Sequence, residues 1–274
     1  MDPLVRLSDR GVTSQTLIRG LRVLEALAQD GPTTLADLVR QVDLPKTVAL
    51  RLLKTLTAEG YAVRLAPGRY ALGLQTVRLS AAGRNALGVN RLALPHMVEL
   101  ARTTRCSVNL NLLDRMRWVA VCVESVEGLD RMRFSMHLGR VGLLHAGATR
   151  KVILAYMSEG ERQAAIALHG LPALTPQTCV DRDALEDQLR AIRQRGWEVT
   201  RGESDPGGTA CASPVFAGVG GQVVGSLGIL AANHRLPPAR VDEFLPNVIE
   251  AGQAITEAFG AINDGPATTG RIPE

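Results

Sequence analysis

Aromatic residues make up only 3% of the 274-residue chain, so its cores must be filled by Leu, Val, Ala and Ile. That scarcity argues against stacking on single-stranded nucleic acid as a binding mode. Four cysteines, Cys106, Cys122, Cys179 and Cys211, stand far apart with no C-x-x-C pair, which rules out zinc-ribbon and thioredoxin readings and leaves reduced thiols as the expectation. Five histidines, His96, His137, His145, His169 and His234, are too scattered to argue for a metal centre. No apolar segment follows Met1, and the longest apolar run, Val223 to Ala232, is short of the roughly 18 residues that a spanning helix needs. A soluble, cytoplasmic protein without a membrane partner, metal or cofactor is therefore expected.

What is present is a charge asymmetry. The net charge is +4, and residues 1–80 hold 11 Lys+Arg against 7 Asp+Glu, so the entire excess lies in the N-terminal third. A polyanion-binding module joined to a neutral one follows from that division, at a length suited to two globular domains.

The segment from Pro45 to Leu56 organises the first module. Read as a helix, Val48, Leu52 and Leu56 stack on one side, while Thr47, Leu50, Arg51, Lys54 and Thr55 gather on the other. Asp43 and Pro45 suit its start and Gly60 its end. Before it, Leu17, Ile18, Leu21, Leu24, Leu27 and Ala28 describe a first helix from Ser14 to Asp30, and Leu35, Leu38, Val39 and Val42 a shorter second one. After it, Tyr61, Val63 and Leu65 alternate up to an Ala66-Pro67-Gly68 turn, and Tyr70 and Leu72 return, placing Arg64 and Arg69 near the tip of a hairpin. Three helices and a basic hairpin make a winged helix-turn-helix over residues 14–73. Arg19, Lys46, Arg64 and Arg69 are then candidates for neutralising phosphates, with Thr34 a further DNA-binding candidate, while Thr47, Leu50, Arg51 and Lys54 lie where base edges are read, although a single arginine such as Arg51 can equally grip phosphate.

A linker helix is expected over 74–90, with an apolar face as suited to a second subunit as to its own chain, and a mixed α+β domain over 91–262. In that domain, Val108 to Leu112 pairs with Trp118 to Cys122, and Met132, Phe134 and Met136 mark a third strand. Helices are expected at 148–157, 159–168 and 181–195, strands at 209–216 and 222–230, a final helix from Pro237 or Pro238 to Ile262, and a disordered tail over 263–274.

Enzyme readings are weak. Gly218 to Gly221 lies between two strands and lacks the third glycine and following helix of a dinucleotide loop. Gly225-Ser226-Leu227-Gly228 has Val224 where a nucleophile elbow requires glycine. A His145/Cys211 nucleophilic pair is less economical than a buried thiol and a structural histidine. The rival to a regulator is thus a small-molecule hydrolase or esterase carrying an accessory basic domain.

Over roughly residues 14–260 the chain resembles the IclR family of bacterial transcriptional regulators. Pro45-Lys46-Thr47-Val48-Ala49-Leu50-Arg51-Leu52-Leu53 matches its Pro-Lys-Ser-Thr-Val-x-Arg-Leu-Leu segment, and Tyr70-Ala71-Leu72-Gly73 its wing end. Gly139 to Lys151 is similar to its Gly-x-x-x-Pro-Leu-His-Ala run leading to Gly-Lys. Gly202-Glu203 and Cys211-Ala212-Ser213-Pro214-Val215-Phe216 complete the likeness. The resemblance implies a winged-helix domain on a GAF-like effector domain, homodimers or homotetramers on inverted-repeat duplex DNA, and control by a small carboxylic or aromatic acid. Its pocket, carried across, is lined by Phe134, Gly142, Ala148, Thr149, Arg201, Cys211, Gly228 and Leu230, with the N–H groups of Ala148 and Thr149 as a carboxylate seat. Leu143 and Arg150 depart from the family's proline and glycine, and Arg201 from a common acidic residue. A basic group over a greasier floor points to a larger acid.

Overall fold

A computed structural model describes residues 14–29, 31–128 and 138–263, and the chain divides into two compact units between Leu87 and Gly88. The first unit holds α1 (Gln15–Gln29), β1 (Thr33–Thr34), α2 (Leu35–Val42), α3 (Lys46–Ala58), β2 (Ala62–Leu65), β3 (Arg69–Leu72) and α4 (Leu74–Ala86). Its core is small: Val23, Ala26 and Leu27 of α1 meet Leu38 and Val42 of α2, Leu52 and Leu53 of α3, and Ala62 of β2. Each fully buried leucine there contributes about 1.5–3 kcal/mol relative to exposure.

Several expected faces are corrected. Leu17 and Leu21 are 62% and 49% exposed, so α1 buries a different stripe of its many apolar residues. Asp43 caps no N-terminus; in the left-handed region at φ 48° it ends α2, and α3 begins behind Pro45, whose carbonyl accepts from Val48 and Ala49. On the hairpin, Val63 and Leu65 face outward while Ala62, Tyr70 and Leu72 face the core. Thr33 and Thr34 form β1 against β3 just ahead of α2, giving a three-stranded wing sheet ordered β1-β3-β2. Gly73 closes it where no side chain fits, since a Cβ would lie 2.2 Å from the Gly60 carbonyl oxygen.

The second unit runs α5 (Val89–Leu92), α6 (Leu94–Thr104), β4 (Ser107–Asp114), β5 (Val119–Val126), β6 (Val141–Leu143), α7 (Ala148–Tyr156), α8 (Glu159–His169), α9 (Arg182–Arg195), β7 (Glu198–Arg201), β8 (Gly208–Phe216), β9 (Val223–Ala232) and α10 (Pro238–Asn263). Six antiparallel strands form one sheet ordered β6-β5-β4-β9-β8-β7. Alternation gives it two apolar faces. Val108, Leu110, Cys211, Leu227 and Ile229 pack with α6 and α10, whereas Ala120, Ala212 and Val223 pack with α7 and α9. The strand expected around Phe134 lies outside the described residues, as does the expected tail from 264 onward. β6 and β7 were not anticipated: they are short, and β7 carries a charge at each end.

Candidate functional sites

Helix α3 sorts its residues sharply. Ala49, Leu52 and Leu53 are buried, while Lys46, Thr47, Arg51 and Lys54 are exposed and Leu50 is half-buried. The buried set is shifted toward Ala49 and Leu53; Val48 and Leu56 are only flanking contacts. Three cations and the Thr47 hydroxyl are therefore displayed on the side of the helix away from its core, in a helix-turn-helix whose intervening turn is only Asp43 to Pro45.

The remaining candidates are less uniform. Arg19 is exposed on α1. Thr34 is committed locally, capping α2 by accepting from Asp37 N at 3.2 Å and donating to Asp37 Oδ2 at 2.6 Å. Arg64 and Arg69 are both exposed at the wing tip, but pairing of Arg64 with Tyr70 and of Leu65 with Arg69 sets them on opposite faces of the hairpin.

In the second unit, α7 is buried along Ala148–Ala155, charges included. Lys151 is 1% exposed, and its Nζ reaches Glu203 Oε1 at 2.5 Å and Gln188 Oε1 at 2.7 Å. The same carboxylate accepts from Gly147 N at 3.1 Å through Oε2, so Glu203 supplies a fixed negative charge at the α7 N-terminus. Ala148 N donates to Thr200 Oγ1 at 2.9 Å. The carboxylate seat expected at that helix end is thus largely filled by the protein itself.

Thr149 lies against β9: Ser226 Oγ donates to its carbonyl at 2.5 Å, and a Cβ on Gly228 would come within 2.6 Å of its Cγ2. Leu230 follows Gly228 on the same side of the strand. Arg150 is 3% exposed and reaches over β6, where a Cβ on Gly142 would stand 2.0 Å from its Nε, and Nη1 donates to the Ala146 carbonyl at 3.3 Å. Burial, followed by the nearby Arg140 guanidinium, pulls its pKa down to about 10, which still leaves it charged at neutral pH. Arg140 itself pairs with Asp205 at 3.2 Å.

The structure thus brings Gly142, Ala148, Thr149, Gly228 and Leu230 to one face of the sheet. Arg201 and the Cys211 thiol do not join them. Thr200 points to α7, so its neighbour Arg201 points the other way, where Nη1 donates to Thr209 Oγ1 and the Leu236 carbonyl. Cys211 sits in the α6–α10 core, where desolvation first, and the Glu198 carboxyl next, push its thiol up to about 12. Phe134 lies outside the described residues. His145 Nε2 is bonded to the Pro172 carbonyl at 2.9 Å, so its ring does structural service.

Two residues on this face escaped the sequence reading. Asn109 and Asn111 of β4 are 1% and 2% exposed, and their Nδ2 atoms have no partner among the described residues. An unpaired buried amide costs about 1–3 kcal/mol. Their signal was visible: Val108-Asn109-Leu110-Asn111-Leu112 alternates apolar and polar in a strand now seen to be central and covered on both sides.

Comparison with known proteins follows this division. Residues 16–66 match the IclR helix-turn-helix domain, and residues 84–257 match the bacterial transcriptional regulator IclR C-terminal domain. The transcriptional repressor IclR of Escherichia coli is 28% identical over 253 residues, covering 90% of this chain and 91% of that protein. The HTH-type transcriptional regulator KipR of Bacillus subtilis is 27% identical, covering 90% and 98%. Among solved structures, the IclR regulator from Alicyclobacillus acidocaldarius shares the fold at a TM-score of 0.80 with 24% identity, covering 90% of this chain and all of that one. An IclR homologue from Microbacterium hydrocarbonoxydans gives 0.76 with 24% identity, covering 90% and 99%. Both matched domains define regulators rather than enzymes, which removes the hydrolase alternative. With the exposed basic face of α3 in one unit and a buried polar face in the other, the chain belongs to the IclR family of ligand-responsive, DNA-binding bacterial transcriptional regulators.

Proposed function

We propose that the regulator works as a homodimer, or a pair of dimers, on an inverted-repeat operator, and that a small carboxylic or aromatic acid bound on the α7 side of the sheet sets its affinity for that DNA. The observation that carries the DNA half is α3, with Lys46, Thr47, Arg51 and Lys54 exposed over a buried Ala49, Leu52 and Leu53. Lys46 and the wing arginines neutralise phosphate, and Arg51 reads a base edge. Two-fold pairing explains an otherwise costly surface: Leu17 and Leu21 of α1, and Leu74 and Val77 of α4, are all at least 49% exposed.

Support for the ligand class comes from Arg150, a buried cation beside the candidate site, and from the relative described as complexed with 4-hydroxybenzoate, an aromatic acid. Relatives named as repressors favour repression, and a chromosomal target places the working protein in the cytoplasm. Fluorescence anisotropy with duplexes from beside its own gene tests the reading. Saturable, salt-sensitive binding that weakens in Arg51→Ala is expected, and failure to bind any such duplex at low ionic strength overturns it.

A further inference from the structure

Two polar side chains occupy the middle of the second unit's sheet with a donor group left over on each. Asn109 and Asn111 lie on β4, third of six strands, and alternation turns them away from Val108, Leu110 and the α6–α10 core toward the α7 side. They are 1% and 2% exposed, and neither Nδ2 has a hydrogen-bond partner among the described residues. Asparagine is a poor strand former, and a covered position in a central strand ordinarily takes a β-branched or other apolar residue. Two such amides therefore lower the stability of the unliganded domain, since each N–H left unpaired in the interior keeps its desolvation cost.

Their cross-strand neighbours do not relieve them. Asn109 stands between Ser125 of β5 and Gly228 of β9: Ser125 Oγ donates to Asn109 Oδ1 at 2.9 Å, which turns the NH2 to the other side, and glycine offers no side chain. Asn111 stands between Cys122 and Ser226, whose Sγ and Oγ donate instead to the Glu124 carbonyl at 3.4 Å and the Thr149 carbonyl at 2.5 Å. The two asparagines are about 7 Å apart along the strand, and N–H···O bonds of about 2.9 Å from each can meet at one hydroxyl or carbonyl oxygen.

We propose that Asn109 and Asn111 are the specificity-determining pair of the effector site, neutral donors that hold a hydroxyl or carbonyl oxygen carried on the effector's body. The assignment rests on the reading that the effector binds on the α7 side of the sheet, and it requires no free cation there. A ligand whose body is hydrocarbon at that point leaves both amides unpaired. It is rejected, because a site built to hydrogen-bond an oxygen discriminates strongly against the analogue that lacks it.

Isothermal titration of the full-length protein with matched acids that differ at one oxygen tests this: 4-hydroxybenzoate against 4-methylbenzoate, 3-hydroxybenzoate against 3-methylbenzoate, and 4-oxopentanoate against 4-methylpentanoate. In at least one pair the oxygenated member should bind roughly 10- to 100-fold more tightly. Asn111→Val should bring that pair within about twofold, and so should Asn109→Asp, which keeps an oxygen for Ser125 but has no NH2. Folding supplies a reading independent of any ligand. With circular dichroism unchanged, Asn111→Val should raise the melting temperature of the unliganded protein, whereas loss of an asparagine that serves the fold would lower it. The proposal is overturned if no pair is discriminated, as when an ordered water is the amides' sole partner, or if Asn111→Val discriminates as wild type does. It is equally overturned if Asn111→Val melts below wild type, or if no acid binds at millimolar concentration to protein that still binds its operator. Failure of the wider reading looks different: the pairs are discriminated as expected, yet no acid alters operator affinity.

Discussion

The buried residues of the second unit differ in what their burial does. Cys122 and Cys211 are desolvated thiols pushed up to about 11 and about 12, and Cys106 is buried beside Cys211, whereas Cys179 is half-exposed. A thiolate reagent should therefore modify one cysteine quickly in the native protein and all four after denaturation. Ellman's reagent with Cys179→Ser checks it; several fast thiols would contradict this burial pattern. His145 is the group that couples folding to mild acid. Burial holds its pKa below the ordinary 6.5, outweighing the bond to the Pro172 carbonyl, which acts to raise it, so the unfolded chain takes up a proton more readily than the folded one. Its contribution is complete above pH 6.5 and is lost as pH falls toward the lowered folded value. Glu198, raised mainly by burial, titrates in the opposite sense, so the test must be differential. Between pH 7.5 and 5.5, wild type should lose more stability than His145→Gln, as thermal melts would record.

Among the elements, α3 and α7 illustrate how one helical period serves two purposes. In α3 the period separates a core stripe from a display face, and truncation on the display face is expected to affect binding without affecting folding. Arg51→Ala should weaken operator binding by about 1–3 kcal/mol and relax preference at one base pair. Lys46→Ala should instead weaken all sequences alike and reduce the salt dependence by about 0.9 in log–log slope. Anisotropy titrations at several salt concentrations separate the two outcomes. In α7 no face is displayed, and its charges are held by the Lys151–Glu203 pair that ties the helix to the loop after β7. Glu203→Ala leaves an ammonium 1% exposed with Gln188 as its remaining side-chain partner among the described residues, and should cost about 3–5 kcal/mol of stability in urea melts. A loss below about 1 kcal/mol would show that the pair is better solvated than the structure implies.

For the whole molecule, ligand response is an exchange of free energy between two units. An acid that changes operator affinity must itself be bound more or less tightly when operator is present, by the same factor, about 5- to 150-fold for a typical coupling of 1–3 kcal/mol. Titrating the acid with and without saturating operator duplex measures it, and unequal factors would mean that the two events do not share one equilibrium. Pairing through α1 and α4 is testable at the same scale. Leu17→Glu with Leu74→Glu should shift sedimentation toward a monomer and reduce operator affinity while leaving the buried core of α1 intact.

Much of this was legible from one chain because periodicity is local. The spacing in Pro45 to Leu56 announced a helix with a basic side, and the alternation of 108–112 and 209–216 announced strands, wherever the fold would later put them. The family segments placed Gly142, Thr149 and Gly228 in one list, and the structure brings them to one face. Pattern did not reveal which side of an element is covered. In α1 apolar residues occur nearly all round, so Leu17 and Leu21 looked as suited to a core as Val23 and Ala26. The resemblance carried Arg201 into the pocket lining by position alone; because Thr200 bonds α7, alternation along β7 sends Arg201 to the far side. Asn109 and Asn111 were passed over because a polar position in a strand normally means solvent, and only the packing of α7 across β4 and β9 made them interior. Element type and the basic character of α3 were thus settled by residue order, since both depend on neighbours within a few positions. Sidedness, and with it the placement of Arg150, Arg201 and the two asparagines, was decided by tertiary packing, because what covers a surface comes from residues far away in the chain.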